Sequence, residues 1–125
     1  MTLKDIQERN LRFQKKAASL VDLIPGGSFL DVSTALIRSA RLTDKYLLRL
    51  VRSKDEATFS HTMDLIEAEL DDAVYLLDRI DNINRRHKLK LIQNFLKEGY
   101  DLLSIYSLCC DQLISRRINE DEEIL

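Results

Sequence analysis

The chain is short of helix breakers. It has one proline and three glycines in 125 residues, and Pro25-Gly26-Gly27 holds three of these four residues. A fold of many tight turns would need more of both. Tryptophan is absent. The two cysteines, Cys109 and Cys110, are neighbours, cannot normally bridge each other, and have no second pair with which to hold a metal. They read as buried or half-buried thiols of a cytoplasmic protein. No apolar run approaches the roughly 20 residues of a membrane span, and the N-terminus carries no signal-peptide pattern, so no membrane is expected among the partners.

What remains favours helix. Hydrophobic residues make up 45 % and charged residues 32 %, dominated by Leu, Ile, Ala, Lys, Arg, Glu and Asp. One domain of this length can bury a single core. Leu3, Ile6, Asn10, Phe13, Ala17, Leu20 and Ile24 recur at alternating steps of three and four, which is a helical seam. After the Pro-Gly break, Ser28 or Asp31 is placed to cap a second helix, with Val32, Leu36, Thr43, Leu47 and Leu50 on its buried side. Ser53-Lys54-Asp55-Glu56 has the spacing of a capping box. A third seam runs through Phe59, Met63, Ile66, Leu70, Ala73, Leu77 and Ile80. Asp81-Asn82-Ile83-Asn84 reads as a turn with capping asparagines. A fourth seam takes in Ile92, Phe95, Gly99, Leu102, Tyr106, Cys109 and Leu113. The expected fold is all-α, an up-down-up-down four-helix bundle over residues 1–117. An acidic tail, 118–125, is expected to fray, since it carries Glu120, Asp121, Glu122 and Glu123 and no base. The net charge of −2 hides this asymmetry, because the body alone has 19 bases against 17 acids.

Seven carboxylates lie between Asp64 and Asp81, and His61 stands three residues before Asp64. A di-metal bundle aims its carboxylates at the core and pairs them with Glu-x-x-His. No Glu-x-x-His occurs in this chain. At about 100° per residue, Asp64, Glu67, Asp71 and Asp78 share an arc of about 60° on the side away from the third seam. They read as a solvated or subunit-interface face. There is also no Gly-rich phosphate loop and no Ser/His/Asp or Cys/His arrangement in useful context. The expectation is therefore no catalytic residue, no metal, no cofactor and no enzymatic activity.

The second helix carries the opposite design. Arg38, Arg41, Lys45, Arg49 and Arg52 occupy one narrow arc opposite its apolar seam. Such a stripe suits phosphate contact, and arginine's planar fork favours it. No aromatic residue interleaves with it, so base stacking is not implied. Arg85, Arg86, Lys88 and Lys90, with His87, form a second cluster expected to open the fourth helix, and Arg116 and Arg117 close it. Solvation alone accounts for many charged faces. A third reading has the acidic stripe of one copy meeting the basic stripe of the next, head to tail, in a ring.

Arg52-Ser53-Lys54, followed by Phe59, His61, Met63, Leu65, Glu69, Asp71, Asp72, Tyr75 and Leu77, resembles the third-helix segment of a bacterial four-helix-bundle family. That family is known from proteins encoded by intervening sequences of 23S rRNA genes. Leu36-Ile37-Arg38-Ser39-Ala40 is similar to its second-helix segment. The chain departs from the pattern at Leu76, where the family has Trp, at Tyr46-Leu47-Leu48-Arg49, and in a longer gap between Lys54 and Phe59. A sister branch, the accessory variability proteins of diversity-generating retroelements, forms pentameric rings that bind a reverse transcriptase and its template RNA. The resemblance thus implies a homo-oligomer and a nucleic-acid or reverse-transcriptase partner, for which the Arg38, Arg41, Lys45, Arg49 and Arg52 stripe is suited; the residues expected to make phosphate contact are these five, then Arg85, Arg86 and Lys88. The rival reading is a protein–protein module in which both stripes are interfaces.

Overall fold

A computed structural model describes residues 1–23, 27 and 29–124, with the side chains of 119–124 outside the description. It contains four helices: α1 (Leu3–Ser19), α2 (Leu30–Arg52), α3 (Glu56–His87) and α4 (Lys90–Ile124), with a short 3-10 turn at Leu20–Asp22 after α1. Each helix packs on the next, and α1 also packs on α4, which closes a four-helix bundle. α3 and α4, at 32 and 35 residues, are longer than the seams suggested.

The seams are where the periodicity puts them. Ile6, Asn10, Phe13, Ala17 and Leu20 of the first are buried, as are all five expected positions of α2. So are Phe59, Met63, Ile66, Ala73, Leu77 and Ile80 of α3, and Ile92, Phe95, Leu102 and Tyr106 of α4. Phe13 and Phe95 stack with ring centres 4.8 Å apart. A smaller cluster of Leu50, Phe59, Met63, Ile66 and Cys110 fills the end of the bundle near the α2–α3 turn. Ile24 and Ser28 lie outside the described residues.

Gly99 sits where α4 lies close against α1 and α3. A Cβ there would lie 2.9 Å from Leu77 Cδ2 and 3.1 Å from Phe13 Cε2. Beside this contact the core holds a polar tie. Asn10 donates to the carbonyl of Ala40 (3.1 Å) and to the Tyr106 hydroxyl, and accepts from Gln14 (2.7 Å). One side chain of α1 thereby joins α2 and α4.

The helix ends differ from the sequence expectations. α1 opens on a capping box, with Thr2 and Asp5 each accepting from the other's backbone N–H. Asp31 lies inside the first turn of α2, whose N-cap is Phe29 with no side-chain bond. Ser53 is the C-cap of α2, and Asp55 caps α3 by accepting from the Thr58 N–H at 2.8 Å. The box expected across Ser53 and Glu56 does not form. Asp81 to Asn84 is helix, and the break comes at Lys88, which takes a left-handed conformation (φ 52°). Asn84 still organises it from within α3, accepting from the Leu89 N–H (3.0 Å) and donating to the Leu89 carbonyl (3.2 Å). No break marks residue 117, since α4 continues to Ile124. Among the described residues no helix is long and apolar enough to cross a membrane.

Candidate nucleic-acid interface

α2 buries Val32, Leu36, Thr43, Leu47 and Leu50, which turns Arg38, Arg41, Lys45, Arg49 and Arg52 to the surface, and all five are exposed. Among the described residues none of the five pairs with a carboxylate within ion-pair distance. Their neutral contacts separate them. Arg41 donates its Nε to Gln14 on α1 at 3.3 Å. Arg49 lies over the Tyr46 ring, 5.5 Å from its centre. Arg38 lines a groove of about 370 Å³ between α2 and α3, facing Glu69, Asp72 and the exposed ring of Tyr75. Lys45, Arg49 and Arg52 line a second groove of about 580 Å³, which continues over Ser53, Lys54, Asp55 and Thr58.

Asp44 lies off the stripe, with a buried Oδ1 that has no hydrogen-bond partner. Burial pushes its carboxyl above the ordinary carboxylate range, and the nearby Tyr106 hydroxyl works against that rise. Burial likewise raises the phenol of Tyr106.

The second basic cluster is placed differently from expectation. Arg85, Arg86 and His87 form the last turn of α3, where cations meet the negative end of the helix dipole. Lys88 is the exposed residue at the break rather than the opening of α4. Arg85 reaches Asp81 at 3.9 Å. The two clusters share no groove among those described.

Arg117 is structural, which sequence reasoning missed. It stacks over Phe59 at 4.3 Å from the ring centre and pairs with Glu56 at 3.2 Å. It also donates to the carbonyls of Ser53 (3.4 Å) and Lys54 (3.3 Å). These partners lie some 60 residues away in sequence, so no local pattern marks them. The sequence places Lys54 only within the capping-box spacing and the resembling Arg52-Ser53-Lys54 segment, not among the contact residues. Its place beside Arg52 in the groove comes from where α2 stops.

On the acidic side, Asp64, Glu67 and Asp71 are exposed on α3. Asp78 differs from them, because it accepts a hydrogen bond from the Tyr100 hydroxyl of α4. Partial burial and then Asp78 push that phenol up to about 12. Among the described residues no group of three or more His, Cys, Asp or Glu is arranged to hold a metal ion. Cys109 is half-buried and Cys110 buried, and burial raises both thiols, Cys110 to about 11. Such thiols are poor nucleophiles at neutral pH.

No family model, curated protein or solved structure matches this chain.

Proposed function

We propose that the chain is a non-enzymatic, self-associating accessory protein that binds nucleic acid through the basic face of α2. The observation that carries this reading is the exposed run of five cations with no carboxylate partner among the described residues. A helix face that is only solvated more often interleaves both signs, in i,i+3 and i,i+4 pairs. Here Asp44, the one acid within the sequence of the stripe, lies off it and is partly buried beside Tyr106. Uncompensated arginines attract phosphate strongly at low ionic strength, without reading sequence. The finer form of the proposal, suggested by the resemblance at residues 36–40 and 52–77, is an RNA-binding partner of a reverse transcriptase. In that form the protein acts in the cytoplasm as a ring, with a pentamer the size the resemblance suggests.

A second reading has support of its own. The groove holding Arg38, Glu69, Asp72 and Tyr75 presents both charges and an aromatic ring that is 63 % exposed, a composition suited to a protein partner or a second copy. In that case Asp64, Glu67 and Asp71 serve assembly.

Light scattering after gel filtration, at low and high salt and with and without a structured RNA, separates the two readings. The nucleic-acid reading expects a closed oligomer that takes up RNA at low salt and releases it steeply as salt rises. Arg49→Glu/Arg52→Glu should abolish that uptake without loss of helicity. An oligomer indifferent to RNA at every salt refutes it and leaves the protein-partner reading.

A further inference from the structure

The five cations of α2 divide by what surrounds them. Arg41 is engaged with Gln14, and Arg38 faces Glu69 and Asp72 across its groove. Lys45, Arg49 and Arg52 open instead onto the groove at the α2–α3 turn, where Lys54 joins them.

The C-terminal end of a helix is ordinarily a poor place for an anion, because its last carbonyls point outward. Here two of those carbonyls, and the two just beyond the helix, are engaged. Ser53 donates its hydroxyl to the carbonyl of Arg49 (2.8 Å) and its N–H to that of Leu50 (3.2 Å). Arg117 covers the carbonyls of Ser53 and Lys54. The one carboxylate in the lining is also occupied. Asp55 accepts the Thr58 N–H on one oxygen (2.8 Å) and the Thr58 hydroxyl on the other (2.9 Å). Those bonds hold its carboxyl below the usual carboxylate range. Glu56, just beyond, is held by Arg117. The Arg49, Leu50, Ser53 and Lys54 carbonyls and the Asp55 carboxylate are thus engaged. Its four cations are exposed, with no carboxylate partner among the described residues.

We infer that this groove anchors consecutive backbone phosphates of a single-stranded nucleic acid, through Lys45, Arg49, Arg52 and Lys54, and that Arg38 and Arg41 contribute only the weaker, longer-range attraction of the basic face. The inference rests on the nucleic-acid reading of α2 and narrows it to one end of the helix. Lys45 to Arg52 spans about 10 Å of helix, enough for a short run of phosphates. A groove of about 580 Å³ is of the size that holds a small ligand, which admits a nucleotide or two of one strand. Tyr46 has the Arg49 guanidinium over its ring, which favours contact with the backbone over base stacking.

The test uses the full chain, a fluorescein-labelled oligouridylate and anisotropy titrations between low and physiological salt. Three variants are compared: Lys45→Gln/Arg52→Gln, Lys54→Gln and Arg38→Gln/Arg41→Gln. The two doubles remove the same charge from exposed positions, and circular dichroism confirms that each is folded. The first double should weaken binding about tenfold and flatten the salt dependence by about 1.4 units of log–log slope, two single-strand phosphate contacts. Lys54→Gln should cost about threefold and roughly 0.7 of slope. Arg38→Gln/Arg41→Gln should change neither by more than about a third of those amounts. Equal losses from the two doubles, or no loss from Lys54→Gln, overturn the groove while leaving nucleic-acid binding by α2 intact. Failure of the unaltered protein to bind the oligonucleotide at any salt overturns the groove, and failure to take up the structured RNA as well overturns the reading on which it rests.

Discussion

Gly99→Ala tests a close contact between α4 and the helices α1 and α3. The added methyl would meet Leu77 Cδ2 at 2.9 Å, Leu77 Cδ1 at 3.0 Å and Phe13 Cε2 at 3.1 Å. Leu77 is fully buried, and Phe13 is held by its stack on Phe95, so neither has an easy retreat. Overpacking of this kind costs about 1–3 kcal/mol. Replacing glycine inside a helix returns about 1 kcal/mol. The net expectation is a loss of about 0–2 kcal/mol where helix propensity alone promises a gain. A double-mutant cycle isolates the cause. Leu77→Ala by itself should cost about 2–5 kcal/mol, but it removes the two methyls that the new Cβ would strike. Gly99→Ala in that background should therefore become neutral or stabilising, with a coupling of about 1–2 kcal/mol. Relief is incomplete because Phe13 remains. Urea unfolding followed by circular dichroism at one fixed protein concentration gives the four free energies. Additivity within about 0.5 kcal/mol, or a full 1 kcal/mol gain from Gly99→Ala alone, would refute the close approach of α4 to α1 and α3.

Arg117→Ala should lower stability by about 2 kcal/mol, from a lost ring stack and charge-assisted hydrogen bonds. Amide exchange should quicken around Phe59, and Arg117→Lys should recover less than half, because an ammonium cannot serve the ring and both carbonyls together. Unchanged exchange at the α2–α3 turn would mean the clamp is not formed. Asp44→Asn carries a pH signature. The folded carboxyl sits above its ordinary value of 3.8 because of burial, so folding favours its protonated form. Its ionisation costs stability as pH rises from that value through the folded pKa, and the deficit persists at neutrality. The substitution should raise the melting temperature at pH 7 and change it little near pH 3; an equal effect at both would remove the cause given.

The seams were legible because a period of three and four residues is visible from one sequence and tertiary packing does not disturb it. Helix ends were less so. Asn82 and Asn84 looked like a turn because asparagine favours one, yet Asn84 does its capping from inside α3 by reaching forward to Leu89. The true break falls on Lys88, a residue with no left-handed preference to announce it. Ser53 had the right spacing for a capping box and belongs to the preceding helix. The basic stripe followed from spacing. Its division did not, because the contact of Arg41 with Gln14 and the cover that Arg117 gives to Ser53 and Lys54 join residues far apart in sequence.

Asn10 has a consequence beyond the three bonds it makes. Four apolar seams of similar composition can slide past one another by a heptad and still match leucine to leucine. Their hydrocarbon chemistry is nearly degenerate with respect to such shifts. A buried amide is not. Displaced by one turn, Asn10 would leave the Ala40 carbonyl and the Tyr106 hydroxyl and lodge its amide among aliphatic side chains, at a penalty of about 1–3 kcal/mol for each group stranded. A polar residue on the shortest helix thus adds its own constraint on the alignment of α1, α2 and α4.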